Sequence, residues 1–384
     1  MSLSRRNFVR TFGLGGAGLS TSFIIGRGRE AMALQTGAIP PPDAGVIRIS
    51  SNENARGPGK NAIAALHNAI TPRLGRGYPP DYTGDLVDAL ARHYQVGRES
   101  VIIATGSGPI LDAAVRAFCS PATPLVTAAP TYGTSEATAR RIGIPVKLVR
   151  VDRALAIDLD AMADAAIGAG LVYFCNPNNP TGSAHNAAAV ERFVRRITRE
   201  SPETAIHIDE AYMDYAHDSA VKTASALTLE LPRVFISKSF SKAHGMAGLR
   251  LGYAVGQPAT VGAIAHVSGL GSVNALSAAA GIASLGDRAH IEAEVVENAR
   301  VRDFTLQAFR KMGYDVSEPH TNHIFIDLGR PASQVRDACR ALGVEVGRDF
   351  PPMEKTHTRI SLGTMDEMRK AADIFQKVLR AKTS

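Results

Sequence analysis

The 384-residue chain is poor in cysteine, has no basic run and carries no long apolar stretch, and each shortage removes a class of protein. Its three cysteines, Cys119, Cys175 and Cys339, are odd in number and far apart. That excludes a disulfide framework or a cysteine metal site, and leaves at most one pair able to bridge. No basic cluster with interleaved aromatics occurs, so no nucleic-acid partner is expected. The run from Thr11 to Ile25 is too short and too rich in glycine for a good membrane span. No internal period occurs, which argues against a repeat architecture.

What is present begins with a processing signal. Arg5 and Arg6 precede that moderately apolar run, and Ala31-Met32-Ala33 then offers a small-x-small cleavage site. This order resembles a twin-arginine export signal, with cleavage expected after Ala33. It implies the twin-arginine translocase as a partner and a periplasmic or otherwise exported location for a protein that crosses already folded. Five arginines and one glutamate fall within residues 1–33, so the net charge of +7 drops to about +3 for the remainder. About 350 residues remain, and with 45% hydrophobic content they suffice for two lobes.

From Leu74 onward short β-branched runs alternate with helical spacing. The runs are Val101–Ala104, Leu125–Thr127, Val146–Val149, Leu171–Phe174, Ala205–Ile208, Val234–Ile236 and Leu251–Val255. Ile110–Phe118 and Ala187–Ile197 have helical spacing. The pattern predicts an α/β fold: a large domain with a mainly parallel seven-stranded sheet sandwiched by helices. Ligands in such sheets sit where the strands end.

The strand ends carry unusual residues. Thr105-Gly106-Ser107-Gly108 opens a helix whose amides suit an anion, although glycine there also makes an ordinary tight turn. Tyr132 follows the second strand and could cover a planar ligand or simply pack. The fourth strand runs into Asn176-Pro177-Asn178-Asn179-Pro180-Thr181-Gly182, a rigid loop with directed carboxamides. The fifth ends in Asp209-Glu210-Ala211-Tyr212. A buried carboxylate there needs a cationic partner such as a protonated pyridine nitrogen, or else caps a helix. The sixth leads into Ser239, Ser241, Lys242, Gly245, Gly248 and Arg250, where a lysine lies among hydroxyls and glycines with an arginine eight residues on. Such a lysine can form an imine with an aldehyde cofactor, and the arginine can fork onto a phosphate.

These segments, in this order, resemble the fold-type I pyridoxal-phosphate aminotransferases of classes I and II, and among them the histidinol-phosphate aminotransferase family. The resemblance implies pyridoxal 5'-phosphate as cofactor and Lys242 as the imine-forming lysine, chosen over Lys238 by the offsets to Gly245, Gly248 and Arg250. It implies Asp209 at the pyridine nitrogen, Asn179 and Tyr212 at the ring oxygen, and Tyr132 stacked on the ring. Gly106, Ser107, Gly108, Ser239, Ser241 and Arg250 would hold the phosphate. Tyr78 would reach it from a neighbouring subunit, which implies a homodimer.

The C-terminal part reads as a smaller α+β lobe. A helix Ile291–Met312, strands near Tyr314–Val316 and Ile324–Asp327, a helix Val335–Leu342, a strand Thr358–Leu362 and a last helix from Met365 are expected. The division is residues 1–33 signal, 34–73 a segment joining the small domain, 74–288 the cofactor domain and 289–384 the small domain. By resemblance Arg359 binds the substrate α-carboxylate, Arg348 a distal phosphate, and Asn54 with Asn52 lies over the substrate; Asn322 lines the site. The implied activity is ping-pong amino transfer between an amino acid, or a histidinol phosphate-like amine, and a 2-oxo acid. Decarboxylase, lyase or oxidase chemistry on the same cofactor, and a non-enzymatic cofactor-binding module, are the alternatives.

Overall fold

The computed structural model describes residues 45 to 380, apart from 77, 79, 268 and 269; the export signal and cleavage site expected from the sequence lie outside the described residues. The chain starts with strand β1 (Ile47–Ile49), then crosses to a helix, Lys60–Ala69, that packs on the helix Ala275–Gly286. Strands β2 (Val101–Ala104), β3 (Leu125–Ala129), β4 (Val146–Arg150), β5 (Leu171–Cys175), β6 (Ala205–Asp209), β7 (Val234–Ser239) and β8 (Gly252–Gly256) follow, with helices between them. They form one seven-stranded sheet in the order β2-β8-β7-β6-β5-β3-β4. Only β8 runs antiparallel, against both β2 and β7. The expected seven strands are all found; β2 matches its run, β3 to β7 extend one to three residues past theirs, and β8 is shifted by one residue.

Because side chains alternate across a strand, each face of this sheet has its own apolar layer. Val172, Phe174, Ile206, Ile208, Val234 and Ile236 belong to one buried cluster. Leu171, Tyr173, Cys175, Ala205 and Phe235 belong to another, together with Ile110, Leu111 and Val115 of the helix Gly108–Phe118. Both faces are dry, which is why the strands read as almost continuous apolar runs. Polar residues therefore concentrate at the strand ends, where the site forms.

A third core lies around β9 (His323–Asp327), β10 (Val344–Val346) and β11 (His357–Ser361), covered by the helices Arg288–Lys311, Ala332–Ala341 and Met365–Arg380. β9 pairs antiparallel with β11, and β1 pairs parallel with β10, so residues from the start of the fold complete this lobe. One expectation fails here: Tyr314–Val316 is not a strand. Among the described residues no strand pairs with it. Its apolar residues pack inward instead, with Val316 buried and the Tyr314 ring edge-on to Phe309.

Candidate active site

The ends of β2, β5, β6 and β7 and the loop after β3 converge on a cavity of about 940 Å³. Lys242, Asp209, Tyr212, Asn179, Tyr132, Ser107, Gly108, Ser239, Ser241, Arg250, Arg348 and Arg359 all line it. Twelve residues spread over more than 250 positions thus meet in one place, as strand-end geometry requires.

Two lysines follow β7 closely, and their surroundings separate them. Lys238 is consumed by an ion pair with Asp214 at 3.1 Å. Lys242 faces the cavity and donates to the Asn52 carbonyl at 3.0 Å, with the Tyr212 ring centroid 5.5 Å from its Nζ. Burial, reinforced by Arg359 and Arg250, lowers the Lys242 ammonium to about 8. A substantial neutral fraction is the state in which an amine can attack an aldehyde or take a proton.

Asp209 ends β6 on the cavity floor, 3% exposed. Its Oδ2 accepts from the Tyr173 hydroxyl at 2.8 Å, and its Oδ1 accepts from Ser237 Oγ and the Ala211 amide, each at 3.2 Å. Burial pushes its pKa up, while these three hydrogen bonds and Lys242 oppose that. The Ala211 contact is a local turn rather than a helix cap, so the alternative reading of this carboxylate is met only in part. The Tyr212 oxygen accepts from Asn52 Nδ2 at 2.9 Å and from Asn179 Nδ2 at 3.3 Å, and burial raises its pKa.

An anion cradle lies at the opposite end. Gly106 has φ +87°, and a Cβ there would come within 2.3 Å of the Arg250 guanidinium; glycine both turns the chain and admits the arginine. Arg250 itself is left-handed at φ 56° and donates to the Ala247 carbonyl at 3.0 Å and weakly to Ser241 Oγ at 3.4 Å. The helix Gly108–Phe118 directs its N-terminus at the same spot. Gly106 is thus behind the lining, making room for Arg250.

Arg359, on β11, is 6% exposed and donates to Asn179 Oδ1 at 2.9 Å and to the Ser50 carbonyl at 2.5 Å. Its Nε has no partner, and burial with Arg348 nearby lowers its pKa to about 10. A buried guanidinium lining the cavity is suited to a carboxylate. Arg348 is exposed on the rim, 4.3 Å from the Phe350 ring centroid.

Three expected residues sit elsewhere. Asn54 does not line the cavity: its Nδ2 holds the Ala243 carbonyl at 3.2 Å, and its Oδ1 accepts from the Arg56 amide. It supports the Lys242 loop, while its neighbours Ser50, Ser51 and Glu53 face the cavity. Tyr78 is 85% exposed and away from the cavity of its own chain. Asn322 reaches back to the carbonyls of Asn52 and Glu53 at 3.1 and 3.3 Å. Sequence reasoning missed Arg336 and Arg340 on the wall, Phe350 beneath the two arginines, and Tyr173, His207 and Ser237 behind Asp209. The alternation of His207 with Asp209 along β6 was the one available signal.

A lysine amine that is partly neutral, a buried carboxylate facing the same cavity, an anion cradle and a buried arginine define an enzyme of amine and carbonyl chemistry on a mainly parallel α/β scaffold. The chain belongs to the aminotransferase class I and II family, whose model matches residues 44–375. It is 30% identical to the histidinol-phosphate aminotransferase of Symbiobacterium thermophilum, over 87% of this chain and 91% of that one. It is 34% identical to the aromatic amino acid aminotransferase of Nocardia farcinica, over 86% and 92%. The solved histidinol-phosphate aminotransferase of Sinorhizobium meliloti, in complex with pyridoxal-5'-phosphate, superposes with a TM-score of 0.79 at 27% identity, covering 95% of this chain and 99% of that one.

Proposed function

We infer that this chain, a pyridoxal-phosphate-dependent aminotransferase, moves an amino group between an amino acid and a 2-oxo acid at Lys242. The observation that carries the residue assignment is the Lys242 amine, its pKa lowered to about 8, in a cavity that also contains Asp209 and Arg359. The residues fit the cofactor: a buried anion for a ring cation, a flat aromatic wall in Tyr132, and the Gly106–Arg250 cradle for a phosphate. When bound, pyridoxal phosphate supplies an aldehyde and an electron-accepting ring.

The protein does the rest. Lys242 would provide the amine that holds the aldehyde and, as a free amine, the base for the proton on the substrate α-carbon. Asp209 would keep a proton on the ring nitrogen, and Tyr212 with Asn179 would hydrogen-bond the ring oxygen. Arg359 fixes the substrate carboxylate so that the α-hydrogen faces Lys242. Replacing Lys242 with Ala should abolish the visible absorbance of the lysine-bound cofactor, and turnover by a variant that retains this absorbance would overturn the assignment.

Three finer readings belong here. The donor is an amino acid or amine with a distal anion, histidinol phosphate included; Arg348 and Arg340 on the same wall, where Arg336 is already paired with Asp349, support this over a purely aromatic donor. A donor panel with 2-oxoglutarate decides it, and the absence of keto-acid-dependent transfer would favour decarboxylase, lyase or oxidase chemistry. The exposed Tyr78 supports a homodimer in which it reaches the partner's phosphate site, testable by light scattering. The Arg5-Arg6 signal supports twin-arginine export with cleavage after Ala33. Fractionation that leaves the intact chain in the cytoplasm would defeat it.

A further inference from the structure

Behind Asp209, on the side away from the cavity, the sheet contains a polar pair inside an apolar layer. His207 and Ser237 are both 0% exposed. They lie on neighbouring strands: β6 pairs with β7 so that Asp209 is opposite Ser237 and His207 opposite Phe235. On the other flank β5 places Tyr173 opposite His207 and Cys175 opposite Asp209. The period of two puts all six side chains on one face, in two adjacent rows. The Phe235 ring stacks on His207 at 4.4 Å between centroids, and Tyr173 meets it edge-on at 5.5 Å. His207 Nε2 lies 2.7 Å from Ser237 Oγ, and Ser237 Oγ lies 3.2 Å from Asp209 Oδ1.

Proton bookkeeping gives this chain a direction. Ser237 has one hydroxyl hydrogen. If it goes to the Asp209 carboxylate, His207 must donate from Nε2, which leaves Nδ1 a bare acceptor. Nδ1 is indeed without a partner, and a bare ring nitrogen is a smaller loss than an orphaned N–H. Burial also lowers the His207 pKa to about 3, so the ring is neutral and can fill this role throughout the working range. The opposite direction would need a proton on Asp209.

We propose that His207 and Ser237 are positioning residues: a two-step hydrogen-bond relay that keeps the Asp209 carboxylate ionised and aimed into the cavity. The other groups facing Asp209 are Tyr173 and Cys175 from β5, Tyr212 from the following turn, and Lys242. Of these, Tyr173 supplies the Oδ2 hydrogen bond, so the relay serves Oδ1 together with the Ala211 amide. The buried carboxylate needs such donors because desolvation alone favours its neutral form, which could not hold a ring proton. This inference rests on the reading of Asp209 as the partner of the cofactor ring.

The test compares Ser237→Ala, His207→Phe, Ser237→Thr, His207→Gln and Asp209→Asn in the full chain, with and without pyridoxal phosphate. Without cofactor, the infrared band of the protonated Asp209 carboxyl, assigned by its loss in Asp209→Asn, is titrated with pH. Ser237→Ala and His207→Phe should move its midpoint up by about one pH unit, the worth of one hydrogen bond to a charged group. With cofactor, both should bind it about tenfold more weakly and lose kcat with the donor KM unchanged. Ser237→Thr and His207→Gln keep a donor and should restore both readouts. If Asp209→Asn is crippled while Ser237→Ala and His207→Phe match the parent in midpoint and affinity, the relay is overturned. If Asp209→Asn binds cofactor and turns over normally, the reading of Asp209 fails instead.

Discussion

The Asn52 side-chain amide donates to the Tyr212 hydroxyl oxygen at 2.9 Å, joining the first strand's exit to a residue of the cavity floor. The same Nδ2 donates to His323 Nδ1 at 2.9 Å, and Asn52 Oδ1 accepts from Ser361 Oγ at 2.6 Å. Its carbonyl meanwhile accepts from Lys242. Asn52 is 0% exposed and left-handed at φ 55°, a conformation asparagine tolerates better than most residues. It ties the small lobe's β11 to both groups expected to work on the cofactor.

Replacing Asn52 with Ala should therefore destabilise the fold by about 2 to 3 kcal/mol, since Ser361, Tyr212 and His323 all lose a buried partner. Asn52→Gly should lose the same hydrogen bonds but recover about 1 kcal/mol of backbone strain. Urea unfolding of the two variants checks this, and equal midpoints would show that the backbone conformation contributes nothing.

Lys242 should leave a signature in stability as well as activity. Its folded pKa, about 8, lies below the ordinary 10.5, so between these values the unfolded chain binds a proton that the folded chain does not. Stability of the cofactor-free protein should accordingly rise with pH across that window and be weaker below about 8. Lys242→Met should flatten this rise. Urea midpoints at several pH values, compared between parent and variant, isolate the lysine's share.

Arg359→Ala should lower kcat/KM by roughly a hundredfold or more, about 3 kcal/mol, chiefly through donor KM, while cofactor affinity stays near that of the parent. Arg359→Lys should recover only part of the loss, because an ammonium cannot reproduce the planar fork that reaches Asn179, Ser50 and a carboxylate together. Steady-state kinetics with a full donor titration read both effects.

Phe350 lies 4.3 Å from the guanidinium carbon of Arg348 and 4.8 Å from that of Arg359, measured to its ring centroid. Removing the ring in Phe350→Ala should raise donor KM several-fold, since each contact is worth about 0.5 to 2 kcal/mol. Phe350→Tyr should keep most of the affinity. An unchanged KM in Phe350→Ala would mean that the arginines are held by their hydrogen bonds alone.

Much of the site was readable along the chain because its parts are local. The Asn176–Gly182 loop and the Ser239–Arg250 stretch carry their own turns, glycines and offsets, and each follows a strand whose apolar run is visible. Lys242 was separated from Lys238 by the family's offsets to Gly245, Gly248 and Arg250, and the Asp214 ion pair gives the same choice a physical cause. Asn54 was misplaced because spacing cannot tell which of three successive side chains faces inward when the backbone turns left-handed at Asn52. Tyr314–Val316 misled for a related reason, since an apolar alternation needs a partner strand before it becomes a ladder.

What the amino-acid sequence determined alone was the succession of strands and helices and the residue types at each strand end, which depend on propensity, periodicity and short-range turns; Lys242 was singled out by the resemblance its motif carries. Tertiary structure decided which strands are neighbours, and so put Asp209 beside Ser237 and His207 beside Phe235, through hydrogen-bond register between segments far apart in the chain. It also brought the Asn52 side chain, from the loop after β1, onto Tyr212. The strand register sets the hydrogen bonds around the Asp209 carboxylate, while burial beside Arg359 and Arg250 lowers the Lys242 ammonium.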